Sequence, residues 1–388
     1  MSNHNWQRFS LSKICEINPG KKELEKLSKE TEVSFLPMAC VSEDGKMLSQ
    51  EKRKLKNVIK GFTYFRDEDV LLAKITPCFE NGKRAIAKNL LNGVGFGSTE
   101  FHVLRPNGMA TSRWLFYAIS QDNFRNIAKS QMTGTAGQKR VPKRVLEEFE
   151  IPIPDINEQA IISEKIETQF TRLDAAIKSL KTIKNKLEIY RQSVLKAAFE
   201  GKLLGITDSV KWKRMMLGDL IIVKSGEGLY KTNRDEAGKY YVYGGNGVTG
   251  RHSKYMFEES RLIIGRVGAQ CGNIHITEPK SWITDNAFIV TFDQIQVDLK
   301  FLFNYLKYLK LNSYSSSTAQ PVISGRKLYP IKIRIPSKIL EQKKIVEEIE
   351  SRFSVIDKVE EVVDNALLKA DRLRKSILKA AFEGKLAD

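Results

Sequence analysis

The sequence predicts an α+β protein: two domains of mixed short strands and helices, separated by two long helices that pair as an antiparallel coiled coil with pseudo-two-fold symmetry. Three observations carry this. The nonapeptide Leu195-Lys196-Ala197-Ala198-Phe199-Glu200-Gly201-Lys202-Leu203 recurs verbatim as residues 378–386. The stretch before each copy places apolar side chains three or four residues apart, with one gap of seven, and holds no proline, the pattern of a helix with one buried face. The segment upstream of each helix carries a fainter copy of its counterpart. A length of 388 residues accommodates two to four domains at about 100–200 residues each.

Residues 1–154 form the first domain. Its opening Trp6-Gln7-Arg8-Phe9-Ser10-Leu11 matches Trp212-Lys213-Arg214-Met215-Met216-Leu217, and Val70-Leu71-Leu72-Ala73-Lys74 matches Leu262-Ile263-Ile264-Gly265-Arg266. Apolar runs of four or five residues, punctuated by Gly, Asn and Pro, read as short strands and turns. Residues 155–203 form the central long helix, with Ile162, Ile166, Phe170, Leu173 and Ile177 on its stripe, Pro154 before it and Gly201 as its stop. Residues 204–336 form the second domain. Residues 337–388 form the C-terminal long helix, with Ile345, Ile349, Phe353, Ile356 and Val363 on its stripe and Gly384 as its stop. About 42 residues at ~1.5 Å each make a rod of roughly 60 Å, and its apolar stripe needs a partner. The other copy is that partner. A parallel pair would need a return connection as long as the rod, so the expected pairing is antiparallel. The junctions also close the repeat on itself: the chain reads as a circle of two units cut once, with its termini near one another.

Lys and Arg number 64 against 46 Asp and Glu, a net charge of +18. Residues 1–154 carry 25 basic and 17 acidic side chains, and residues 204–336 carry 19 and 11, so each domain has an excess of +8. Two equal basic surfaces on a rigid spacer are the electrostatic footprint of a bipartite nucleic-acid reader. The bland alternative, lysines that only face water, remains open at every single position.

Several classes are excluded. No apolar run is long enough to span a bilayer, and Met1–Asn5 has no signal-peptide pattern, so the chain is expected in the cytoplasm. Four scattered cysteines and four scattered histidines make neither a disulfide framework nor a zinc cluster. Gly245-Asn246-Gly247-Val248-Thr249-Gly250 has the spacing of a dinucleotide fingerprint, but no amphipathic helix follows it. Ser225–Thr232 approximates a P-loop, yet Tyr230 stands where a glycine must approach phosphate. No Asn-Pro-Pro-aromatic tetrad of adenine-amino methyltransferases is present. No catalytic residue, metal site or cofactor is expected in this chain.

The repeated helix ends, Gly134-Thr135-Ala136-Gly137-Gln138-Lys139-Arg140-Val141-Pro142, Tyr243-Gly244-Gly245-Asn246-Gly247, and two Ile-Pro helix entrances followed by Glu-Gln resemble the specificity (S) subunit of type I restriction-modification enzymes. The resemblance covers essentially the whole chain. It implies two target-recognition domains that each read one half of a split DNA site, with the helix pair as a ruler. It further implies two methyltransferase (M) subunits that use S-adenosylmethionine, and restriction (R) subunits that use ATP and Mg. Two rivals stay open: a nuclease or methyltransferase fused to recognition domains, and a coiled-coil scaffold that binds protein or RNA.

Loop residues with phosphate-neutralising or base-pairing side chains are the candidate DNA contacts. In the first domain these are Lys74, Thr76, Lys83, Arg84, Gln138, Lys139, Arg140, Lys143 and Arg144. In the second they are Lys231, Asn246, Arg251, Lys254, Arg266, Gln270, Gln320, Arg326 and Lys327. The duplicated helix ends nominate an M-subunit interface at Lys196, Phe199, Glu200 and Lys202 and at Lys379, Phe382, Glu383 and Lys385, with the two phenylalanines as apolar anchors. A shared helix stop is the competing account of the same residues.

Overall fold

The structure is a computed structural model that describes residues 6–203, 210–229, 235, 237–316 and 321–386. The chain divides into two compact units, Met1–Leu180 with Asn365–Asp388, and Lys181–Asp364. Neither long helix is a segment apart: each contributes one stretch to each unit.

The first unit is built on a four-stranded sheet in the order β2 (Cys15–Ile17), β9 (Phe101–Pro106), β6 (Val70–Ala73), β7 (Arg84–Ile86). All four residues of β6 are buried, as expected of a central strand covered on both faces. A second sheet runs β4 (Glu51–Lys54), β3 (Glu32–Leu36), β8 (Val94–Gly97), β5 (Thr63–Arg66). At the base, β1 (Gln7–Ser10) pairs antiparallel with β10 (Glu150–Ile153). Four shorter helices complete the domain: α1 (Leu11–Ile14), α2 (Ser112–Ala118), α3 (Asp122–Ser130) and α4 (Lys143–Glu148).

The second unit repeats the plan. Its main sheet has the same order, β12 (Ile221–Ser225), β18 (Ala287–Phe292), β15 (Leu262–Gly265), β16 (Ile274–Ile276), and its base ribbon pairs β11 (Trp212–Met216) with β19 (Lys332–Pro336). α6 (Leu299–Tyr308) takes the place of α2, and α7 (Gly325–Leu328) lies just ahead of β19. The peripheral sheet has diverged: β13 (Tyr240–Gly244) and β14 (Gly247–His252) form a hairpin, joined by β17 (Trp282–Ile283).

The long helices α5 (Ile156–Phe199) and α8 (Ile339–Phe382) are 44 residues each. Within the second unit, Lys184 pairs with Asp364 at 2.6 Å, and Arg191 pairs with Asp357 at 2.6 Å and Glu360 at 3.1 Å. Residue numbers rise on one helix as they fall on the other, so the pair is antiparallel there. Arg191 also lies over the Phe353 ring, 4.7 Å from its centroid. In the first unit the equivalent residues repeat the device: Arg374 pairs with Asp174 and lies 4.3 Å from the centroid of Phe170. Both arrangements fall on one register, which explains why Phe, Asp and Arg recur in the two copies.

Each domain core is closed by the start of one long helix and the end of the other. Ile162 and Ile166 of α5, with Ile377, Leu378, Ala381 and Phe382 of α8, join Trp114 in the core of the first unit. Ile345, Val346 and Ile349 of α8, with Val194, Leu195, Ala198 and Phe199 of α5, join Phe301 in the core of the second. Trp6 and Leu386 pack on the same first core, so the two ends of the described chain meet there.

This overturns the proposed role of the two phenylalanines. Phe199 is 1% exposed and packs edge-on against Phe301 and Tyr305; Phe382 is 8% exposed, with its ring 4.2 Å from that of Trp114. Neither is presented to a partner, because each fills its own domain's core. The charged members of the repeat have a local account too. Gly201 (φ 70°) and Gly384 (φ 75°) take the left-handed conformation, and the Lys202 and Lys385 amides donate to the carbonyls of Ala197 and Ala380 at 2.8 and 2.9 Å. That is the glycine-terminated helix stop in both copies. Glu200 pairs with Lys196 (3.8 Å) and Lys202 (3.0 Å), and Glu383 pairs with Lys379 (3.8 Å) and Lys385 (2.5 Å). The shared helix stop and its ion pairs account for the glycine and the charged members of the repeat, and core packing accounts for the apolar ones.

The start of each long helix is held by a buried glutamine. Gln159 accepts from the Thr111 amide at 2.8 Å and donates to the carbonyls of Met109 and Pro154, both at 2.9 Å. Gln342 accepts from the Asp298 amide at 2.8 Å and donates to the carbonyls of Gln296 and Pro336, both at 3.0 Å. Both side chains are fully buried. Thr111 and Asp298 are the N-caps of α2 and α6, so one amide ties the long helix to the domain helix beside it.

Candidate nucleic-acid interface

In the first domain the loop after β6 meets the glycine-rich loop ahead of α4. The Val141 amide donates to the Lys74 carbonyl at 2.8 Å and the Thr76 amide to the Lys139 carbonyl at 2.9 Å. Lys74 and Thr76 are thereby brought beside Gln138, Lys139 and Arg140, as the candidate set requires. Behind them, His102 is 4% exposed, with Nε2 2.8 Å from the Val141 carbonyl and Nδ1 3.2 Å from Asn18 Nδ2. Burial lowers its pKa, and the charge of Lys74 acts in the same direction against the Val141 bond. A neutral ring that donates from Nε2 and accepts at Nδ1 satisfies both partners.

Several candidate cations have partners of their own. Arg140 binds Glu100 through Nη2 at 2.8 Å and Nε at 3.0 Å, and its guanidinium holds the Glu100 carboxyl below the usual carboxylate range. Lys143 pairs with Glu147 at 2.9 Å and Arg144 with Glu148 at 3.2 Å, one turn along α4. The run of four positive charges is therefore largely neutralised by its own neighbours, leaving Lys139 exposed with no ion pair among the described residues. Lys83 donates to the Met38 carbonyl at 3.1 Å. Arg84 is a packing residue: its guanidinium binds Ser120 Oγ at 2.5 Å and lies 4.9 Å from the Phe116 centroid, and burial pushes its pKa down to about 10. Its guanidinium is engaged by α2 and the turn that follows it.

The second domain builds the same frame. The Ile323 amide donates to the Arg266 carbonyl and the Gly268 amide to the Pro321 carbonyl, both at 2.9 Å. Gly265 is needed here, because a Cβ would lie 2.3 Å from the Gly245 carbonyl oxygen. That contact explains the Tyr243–Gly247 motif, a hairpin turn pressed against the loop after β15. At its rim, Asn273 Nδ2 donates to Asn246 Oδ1 at 3.0 Å and to Gln270 Oε1 at 2.8 Å. Asn246 and Gln270 are thus brought together, joined by Asn273, which sequence reading missed although it closes the Gln270-Cys271-Gly272-Asn273 turn. Arg266 is held by Ser225 Oγ at 3.2 Å, and Arg251 by the Lys239 carbonyl at 3.2 Å and the face of Tyr241. Lys254, Arg326 and Lys327 are exposed, without ion pairs among the described residues; of the three, Lys327 lies close enough to the Gln270–Asn273 turn for its charge to act on Cys271. Lys231 and Gln320 lie outside the described residues.

Among the described residues no group of His, Cys, Asp and Glu could hold a metal ion, and no helix is long and apolar enough to cross a membrane. The arrangement is a duplicated scaffold whose polar loops differ between its two copies. The chain belongs to the type I restriction modification DNA specificity domain family, whose model matches residues 3–189 and 209–363. It is 45% identical over 160 residues to the type I restriction enzyme EcoEI specificity subunit of Escherichia coli, a match covering 40% of this chain and 26% of that protein. The match to the EcoAI specificity subunit, also of Escherichia coli, is 43% identical over 171 residues and likewise spans little more than a quarter of that relative, 28%. The StySPI specificity subunit of Salmonella potsdam is 26% identical over 362 residues, 85% of this chain and 77% of that one. Among solved structures, a chain from the type I R-M system superposes with a TM-score of 0.81 at 20% identity over 97% of both chains. The HsdS subunit of Thermoanaerobacter tengcongensis gives 0.60 at 20% identity, covering 98% of this chain and 97% of that one. These two show the shared fold.

Proposed function

We propose that this chain is the DNA-recognition subunit of a type I restriction-modification complex, reading a bipartite target through its two domains and doing no chemistry itself. The observation that carries the reading is the duplicated loop frame, Lys74–Thr76 against Gln138–Val141 and Arg266–Gly268 against Pro321–Ile323, on two sheets of identical strand order. A shared frame with different side chains suits two readers of different half-sites. The equal excess of +8 on each domain supplies the sequence-independent attraction. Helices of 44 residues, roughly 66 Å at 1.5 Å per residue, would set the spacer. Two M subunits would supply methyl transfer from S-adenosylmethionine, and R subunits ATP- and Mg-dependent translocation and cleavage, in the cytoplasm.

The test is domain exchange. With residues 1–154 replaced by those of another family member and the M subunits present, mapping of methylated adenines should show one half of the target changed and the other kept. If both halves change, or if the target is unaltered, independent reading by two domains is wrong.

A further inference from the structure

We propose that the cavity between β16 and α6 of the second domain binds a phosphodiester group of the DNA backbone beside the half-site read by that domain. The inference rests on the DNA-recognition reading above and adds a specific contact that the loop candidates do not include.

The cavity has a volume of about 570 Å³, and no carboxylate lines it; its polar lining is Asn273, His275, Lys307, Lys310 and Asn312. Neither lysine has an ion pair among the described residues. Lys307 is the informative one. Its ammonium lies 4.2 Å from the Phe303 centroid, and its pKa is pushed down, first by burial and then by Arg191, with Glu188 acting the other way. Lys307 is exposed and no carboxylate lines the cavity beside it, so an entering anion would meet a positive charge that nothing there neutralises. His275 adds to the same imbalance, for its Nε2 is buried with no hydrogen-bond partner, and burial and Lys307 both lower its pKa. Lys310 follows the C-cap of α6 with φ of 49°, the left-handed conformation that commonly ends a helix, and it lines the cavity there. Gly272 (φ 88°) allows the wall to close, because a Cβ there would lie 2.4 Å from the Asn312 amide nitrogen.

Continuity identifies the anion. Asn273 lines the cavity and also joins Asn246 to Gln270 at the candidate base-reading rim. A cationic cavity that shares a wall with amides suited to base edges fits the strand whose bases those amides meet. In the first domain Arg84 stands on β7 where Ile274 stands on β16, and its guanidinium is consumed by Ser120 and Phe116. The proposed contact therefore belongs to one half-site.

The test compares the full chain with a Lys307→Gln, Lys310→Gln variant on matched and scrambled duplexes across a salt series. Each lost phosphate contact should reduce the slope of log affinity against log salt by about 0.9, equally for both duplexes. Single neutral methylphosphonate linkages should identify one position that weakens the wild type and leaves the variant unaffected. Circular dichroism confirms that the variant folds, and Lys307→Met alone serves as a second variant with the hydrocarbon stem retained. Unchanged slope and affinity in folded variants, with no linkage that couples to the lysines, would overturn the proposal while leaving DNA recognition intact. A wild-type chain that prefers no duplex would instead remove the DNA-recognition reading. Inorganic phosphate that perturbs the His275 resonances, with the duplex leaving them unmoved, would assign the cavity to a free anion and also overturn the proposal.

Discussion

The two domains share a skeleton and differ at its rim. Both hang their loops from a four-stranded sheet of the same order, and both join those loops by the same pair of backbone hydrogen bonds. In the first domain the rim holds cations braced by carboxylates, Arg140 on Glu100 and the lysine and arginine of α4 on Glu147 and Glu148. In the second it holds neutral amides, Asn246, Asn273 and Gln270, bonded to one another. Among the described residues the peripheral sheet differs too, four strands against three. What stayed alike is the part that carries load, and what diverged is the part free to meet a ligand.

That comparison can be broken or sharpened by paired substitutions at equivalent positions. The largest effect is expected for Phe199→Ala and Phe382→Ala, each leaving a cavity in a domain core and costing about 3–5 kcal/mol. Phe199, 1% exposed among three aromatic rings, should cost more than Phe382, 8% exposed against one. Calorimetry of the two variants measures this. A cheap Phe382→Ala would mean that the C-terminal helix end is not part of the first core.

Next come Gln159→Leu and Gln342→Leu. Each strands one amide and two carbonyls that a single side chain now satisfies, for about 1–3 kcal/mol per group left unpaired and buried. Hydrogen exchange should accelerate at the Thr111 amide in the first variant and at the Asp298 amide in the second, each leaving the other domain protected. Acceleration in both domains from either change would show that the domains do not respond separately.

The smallest effect is expected for Arg191→Leu and Arg374→Leu, which remove a half-exposed cross-helix ion pair and its contact with a phenylalanine face. About 0.5–1.5 kcal/mol each, falling with added salt, is the expected loss by thermal melting. An effect indifferent to salt would assign the arginines to packing alone.

The repeat in the sequence was enough to locate the long helices and their antiparallel pairing, because periodicity and duplication survive in one dimension. Partners in space do not. Four positive charges between Lys139 and Arg144 look like a phosphate site until Glu100, some 40 residues earlier, is seen on Arg140. Phe199 and Phe382 looked like surface anchors because neighbouring charges recurred with them, whereas the local helix stop accounts for those charges and the domain cores account for the rings. Arg84 follows the same rule: only the fold shows Phe116 and Ser120 around it. Gln159 and Gln342 were visible as a recurring Glu-Gln pair, but an amide's buried partners cannot be read from its neighbours in sequence.

The closing of the first core by the end of α8 has a consequence for synthesis on the ribosome. Trp114 and its neighbours are made early, yet Ile377–Phe382, which cover them, emerge only after the whole second domain. The roughly 180 residues between the two helix ends take about ten to forty seconds at typical elongation rates. The second core needs residues only as far as Phe353, so the second domain can be completed before the first. During that interval the nascent first domain carries an uncovered aromatic face, the kind of surface that chaperones bind. A chain cut short between Phe353 and Ile377 would hold one finished domain and one still open.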